Sequence, residues 1–114
     1  MSIWQVIEDL KQMPEANRRA DKTIADLIGM RETTVNGEQY WALGDKTFRR
    51  VPAFTLYIEA AMIAVEATGG LGSGGFTIGR SPATAVLDDE SPCEGATPAI
   101  ALCAAVLTRV AKLR

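Results

Sequence analysis

The stretch from Gly69 to Gly79 reads GGLGSGGFTIG and holds a G-x-G-x-x-G pattern at Gly70, Gly72 and Gly75. Such glycines cradle pyrophosphate when a strand precedes them and a helix follows, because backbone N–H groups and a helix N-terminus then face the anion. Here the order reads the other way. A helix is expected to end at Thr68 and a strand to begin near Phe76, so the negative end of a helix dipole meets the glycines. No G-K-[ST] follows. The run is therefore read as a helix C-cap at Gly69 plus a mobile linker, the alternative being a loop that orders over a ligand.

A second candidate is the basic cluster Lys46, Arg49 and Arg50, with Tyr40 and Trp41 on the preceding strand. Arginine forks pair with phosphate and aromatic rings stack on bases, so these five residues are the candidate ligand-binding set. Alternation places Lys46, Phe48 and Arg50 on one face of the strand and Arg49 on the other with Thr47 and Val51. The competing reading is an exposed strand kept from edge pairing by its charge. The loop DDESPCEG carries Asp88, Asp89, Glu90 and Glu94 without the ordered spacing of a calcium loop. It is read as a solvated acidic loop, with Asp88, Asp89 and Glu90 as candidate partner contacts. Trp4 lies beside the apolar stripe of the first helix; exposed, it would mark an interface.

Other chemistry is sparse. The chain has no histidine and two cysteines, Cys93 and Cys103, without a C-x-x-C pair. That removes the usual zinc sites and every His-dependent triad. Cys103 is expected as an inert core thiol. No Ser, Cys or Lys has an adjacent base and no carboxylate pair stands out, so the chain is read as no enzyme, with no cofactor and no metal. The net charge of -2 argues against a duplex-DNA binder, which needs a broad basic surface. No apolar run approaches the roughly 20 residues of a membrane helix. The first residues, MSIWQVIEDLKQM, lack a basic leader and are not read as a secretory signal.

The elements that must position these residues follow from periodicity and punctuation. Ser2 and Gln5 form a capping box before Ile3, Val6, Ile7 and Leu10, and Pro14 closes that helix. A second helix runs through RRADKTIADLIGM and stops at Gly29. Asn36-Gly37 predicts a type I′ turn and Gly44-Asp45 a II′ turn, giving a meander of 31–35, 38–43 and 46–51. Thr55 is expected to cap a helix with Ile58, Ala61, Met62 and Val65 inward. Residues 76–80 and 83–87 read as a second hairpin around Ser81-Pro82. Thr97 and Pro98 announce the last helix, whose Arg109, Lys112 and Arg114 suit the negative end of its own dipole. With 114 residues and 47% apolar content the chain supports one core. The fold class is α+β, an α/β/α sandwich with one mainly antiparallel sheet of about five strands and helices packed on it.

The segments ADKTIADLIGM, VPAFTLYIEAAMIAVEA, GFTIG and ATPAIALCAAVLTRVAK resemble the phage ABA-sandwich domain family. Its pattern P-x-[FY]-[ST]-x-x-I-x-A-A-[WM] is met by Pro52, Phe54, Thr55, Ile58, Ala60, Ala61 and Met62. Its last helix is met by Thr97, Pro98, Ala101, Cys103, Ala104, Ala105 and Leu107. Met62 stands where tryptophan is expected. The resemblance covers about residues 20–112, which divides the chain into a helical extension, 1–15, and a sandwich-like domain, 16–114. It implies a phage or prophage protein in the bacterial cytoplasm that counters host immunity. Two routes follow: a homo-oligomer that sequesters a cyclic nucleotide signal, or a protein that inhibits a host defence effector or serves as a structural phage component. The family carries no agreed catalytic residues, so none is assigned.

Overall fold

A computed structural model describes residues 2–70, 74–77, 82–88 and 91–113. The chain begins with α1 (Ile3–Gln12) and α2 (Arg18–Leu27). Ser2 caps α1 by accepting from the Gln5 N–H at 3.2 Å, while the Gln5 side chain turns to Asp9 instead of closing the box. Val6, Ile7 and Leu10 are buried, and α1 packs against the last helix. A ten-residue helix is marginal alone in water. Burying three aliphatic side chains at ~1.5–3 kcal/mol each is what holds it. Asn17 caps α2 through its side-chain oxygen, and Gly29, at φ 94, turns the chain out of the helix.

Strands β1 (Arg31–Val35), β2 (Glu38–Leu43) and β3 (Lys46–Phe48) form the expected meander. Asn36 and Gly37 both have positive φ, 53 and 81, as a type I′ turn requires. At Gly44-Asp45 only Gly44 is positive, which suits II′. β3 ends at Phe48, three residues short of the expected Val51. The carbonyls of Val51 and Pro52 are taken by the Arg18 guanidinium, and Pro52 has no N–H to donate to a ladder.

Helix α3 (Ile58–Ala67) starts later than its sequence suggests, and Thr55 does not cap it. Tyr57 sits at the cap without a side-chain bond. Thr55 is buried and its hydroxyl donates to Asp21 Oδ1 at 2.7 Å, while the Thr55 N–H donates to the same oxygen at 2.8 Å. Its inward residues are Ala60, Ala61, Ala64 and Val65; Ile58 and Met62 are only half-buried.

Strands β4 (Gly74–Phe76), β5 (Ala83–Leu87) and β6 (Cys93–Gly95) form a second antiparallel sheet, and α4 (Pro98–Lys112) ends the described chain. An antiparallel pair is present with Phe76 opposite Ala85, but β4 covers 74–76 where 76–80 was expected, so Phe76 alone of that expected strand lies in the ladder; residues 78–81 lie outside the described residues. Gly74 pairs with Leu87, where a Cβ would sit 2.2 Å from the Val86 carbonyl oxygen. Part of the glycine run is thus strand. Gly70 closes α3 by donating to the Val65 carbonyl at 2.9 Å, and residues 71–73, where the mobile linker was expected, lie outside the described residues.

Among the described residues the α+β class holds, with four helices and two three-stranded antiparallel sheets rather than one sheet of about five strands. β3 is too short to carry pairing onward, and α3 intervenes before β4. β6, with Glu94 and Gly95, has little strand propensity and is formed by pairing with β5. α4 packs against β5 and β6 and also against α1, α2 and α3. Its run of small and aliphatic residues, Ala99 to Leu107, is buried around the whole helix. The centre of the molecule is therefore a helix.

Candidate functional site

The expected ligand set does not form one site. Alternation along β2 puts Glu38, Tyr40 and Ala42 on one face and Gln39, Trp41 and Leu43 on the other. Trp41 lies opposite Phe48, and Leu43 opposite Lys46. Trp41, Phe48 and Lys46 therefore share the face that packs toward the body, with Trp41 and Phe48 half-buried against the core. Tyr40 faces away from them. Adjacent residues of a strand cannot stack on one ligand from one side.

Arg49 goes with Tyr40. Its guanidinium donates to Glu38 Oε2 at 2.6 Å and to the Tyr40 hydroxyl at 3.1 Å, and that hydroxyl donates to the same carboxylate at 2.9 Å. The guanidinium carbon stands 5.1 Å from the Tyr40 ring centre. The Arg49 fork, with help from Tyr40, holds the Glu38 carboxyl below its ordinary range, and Glu38 in turn raises Arg49. Arg49 is thus already engaged by an acid of its own sheet. Arg50 is exposed beyond the end of β3.

Lys46 has different surroundings. It lines a cleft of about 370 Å³ with Asp45, Glu66, Ile28, Leu43 and Ile63. The β2–β3 turn forms one wall, the end of α2 a second and α3 a third. Leu43 is buried at the base, so the turn is held in place by the core. Its volume lies in the range of small-molecule sites. Asp45 is the turn residue expected from Gly44-Asp45. Glu66 comes from α3, and nothing local in the sequence joins it to Lys46.

The candidate partner contacts also separate. Trp4 is 52% exposed, in the first turn of α1 and off its buried stripe. Asp88 has a positive φ of 56 and receives the Arg109 guanidinium at 3.4 Å, so it serves an internal contact. Asp89 and Glu90 lie outside the described residues. Arg109 itself departs from the expected role on its own helix. It is buried and donates to the carbonyls of Gly70 at 2.7 Å and Val65 at 2.8 Å and to the Thr68 hydroxyl at 2.9 Å. It caps the C-terminus of α3.

One buried carboxylate escaped sequence reading, whereas Cys103 is the core thiol the sequence leads one to expect. Asp21, 2% exposed, joins Thr55 to α2 and also accepts from Arg18 at 3.1 Å. Cys103 is buried and its thiol donates to the Phe54 carbonyl at 3.2 Å. Burial, reinforced by the charge of Asp21, pushes this thiol far up, so it is no nucleophile at neutral pH. Cys93 and Cys103 are both free. Among the described residues no three acidic or thiol side chains converge as a metal site, and no helix is long and apolar enough to cross a membrane. No protein-family model matches the chain, and no curated protein or solved structure matches it.

Proposed function

We propose that this protein is a non-enzymatic binding protein that holds a small nucleotide in the cleft between the β2–β3 turn and α3. The observation that carries this reading is the lining itself: one ammonium, Lys46, and two carboxylates, Asp45 and Glu66, around the apolar residues Ile28, Leu43 and Ile63. Lys46 is the one cation in the lining for a phosphate, set against two carboxylates and the C-terminal ends of α2 and α3, so recognition falls mainly on sugar and base. Carboxylates accept from ribose hydroxyls and from exocyclic amines, and apolar walls cover a base. Of the five ligand residues expected from sequence, Lys46 alone lines this cleft. The biological setting rests on the phage-family resemblance. On that basis the protein sequesters a cyclic nucleotide signal of host immunity in the bacterial cytoplasm and acts as a homo-oligomer.

The test is a thermal melt against cyclic di- and trinucleotides and cyclic ADP-ribose variants. A ligand at about 100 times its dissociation constant adds about 2.7 kcal/mol and raises the melting temperature visibly. The expected result is a shift with one compound that Lys46→Ala abolishes. No shift with any compound, or a shift unchanged in Lys46→Ala, overturns the reading. A second reading, an inhibitor of a host defence protein or a structural phage component, is favoured by the exposure of Trp4, Leu56 and Tyr57. A flat nucleotide panel together with a partner complex lost in Trp4→Ala would support it.

A further inference from the structure

We propose that a second surface, the basic strip formed by Arg18, Arg19 and Lys22 of α2 with Arg50, binds single-stranded nucleic acid, with Tyr57 stacking on a base. The strip is assembled by tertiary contacts between distant segments. The Arg18 guanidinium donates to the Val51 carbonyl at 2.5 Å and to the Pro52 carbonyl at 3.2 Å, which brings Arg50 beside the first turn of α2. Lys22 follows Arg18 by one turn on the same stripe. The Asn17 N–H donates to the Thr55 hydroxyl at 3.0 Å, so Tyr57, two residues on, stands at the same end of α2. Tyr57 is 57% exposed, and Leu56 beside it 55%.

Charge decides the partner. With Arg49, five of the chain's 12 Lys and Arg lie in these two short segments, although the whole chain carries -2. Arg18 is balanced by Asp21 and Arg49 by Glu38. Arg19, Lys22 and Arg50 are exposed and make no ion pair among the described residues. Acids lie near these cations: Arg19 also lines the groove between α1 and α2 with Asp9, and exposed Glu15 and Glu59 are close in sequence to α2 and to Tyr57. A narrow line of cations suits one phosphate chain, whereas a duplex needs a broad basic surface. The exposed ring selects nucleic acid over an acidic peptide, since bases stack on a tyrosine face and carboxylates do not. Along α2, Ile28 of the cleft stands about 15 Å from Arg18 and about 9 Å from Lys22 at 1.5 Å per residue.

The test is fluorescence anisotropy of the full chain with labelled oligo(dT) and oligo(U) of about 20 nucleotides over a salt series. Saturable binding is expected, with log affinity falling against log salt at a slope of about -2, the value for three phosphate contacts on a single strand. Lys22→Glu with Arg50→Glu should abolish it, and the neutral pair K22Q/R50Q should flatten the slope; both sites are exposed, and melts check that the fold is kept. Tyr57→Ala should weaken binding about tenfold. Lys46→Ala should leave it unchanged, which separates this surface from the cleft. No binding by the wild-type chain at low salt, binding unaffected by the charge reversals, or equal competition by polyglutamate overturns the proposal.

Discussion

Replacing Arg109 by methionine asks whether this buried cation works as a helix cap or as half of an ion pair. Methionine keeps most of the apolar stem and removes the donors. The guanidinium makes three bonds of 2.7 to 2.9 Å at the end of α3, to Gly70, Val65 and Thr68. A bond from a charged donor contributes ~1.5–3 kcal/mol, and a cation at a partly buried helix C-terminus up to ~2. These figures overlap and do not add. The Val65 carbonyl also accepts from the N–H groups of Thr68 and Gly70, so it is not left bare. Arg109 Nε is buried without a hydrogen-bond partner among the described residues, and its removal returns ~1 kcal/mol. The net loss is then about 2 to 3 kcal/mol, a fall in melting temperature of roughly 10 °C for a domain of this size. Asp88, half-exposed and 3.4 Å away, contributes far less. Asp88→Asn should cost under about 1 kcal/mol. Urea unfolding of both variants measures the two numbers. A loss below about 1 kcal/mol in Arg109→Met, or equal losses in the two variants, would refute the capping argument.

Two further outcomes follow from named contacts. A Cβ on Gly95 would meet the Ala101 nitrogen at 2.7 Å and Ile100 Cγ2 at 2.9 Å, so Gly95→Ala must push β6 away from α4. A loss of ~1–3 kcal/mol in urea unfolding is expected, and an unchanged midpoint would show that the two elements are not in close contact. Glu38, held below its ordinary range by Arg49, adds stability that is present above the carboxyl's unfolded pKa and lost as pH falls through the lower folded value. Carbon-detected NMR titration should place Glu38 below an ordinary glutamate, and Arg49→Ala should return it; an unshifted Glu38 in the intact chain refutes the pairing.

Local chemistry made the turns and caps readable. Asn36-Gly37 announces its turn because only such residues accept positive φ at both positions, and the structure has both. Ser2, Thr97 and Gly29 mark helix ends because their side chains, or the lack of one, answer the unpaired groups there. β6 was not readable, since its residues become a strand only when β5 supplies partners. Thr55 was misread for a related reason. A threonine before a helix looks like a cap until a buried Asp21, 34 residues earlier, takes both its donors.

The candidate site divides the same way. Lys46, Arg49, Arg50, Tyr40 and Trp41 were visible as a charged and aromatic cluster, and the strand period already separates Tyr40 from Trp41. What occupies each charge was not visible. The Glu38 that engages Arg49 comes from the far end of the neighbouring strand, and the Glu66 that lines the same cleft as Lys46 comes from α3. The basic run at Arg18, Arg19 and Lys22 could be seen in the sequence, but its junction with Arg50 depends on one guanidinium reaching two carbonyls. By itself the sequence determined the α+β class, the two turns of the first sheet, most helix ends and the absence of histidine chemistry, because these depend on residue type and short spacing. Tertiary structure alone decided that the strands split into two sheets, of which β4–β6 packs on the central helix α4, and which charges are spent on internal partners. Hydrogen-bond partners and buried counter-charges are chosen by packing between segments far apart in the chain, and no local pattern records that choice.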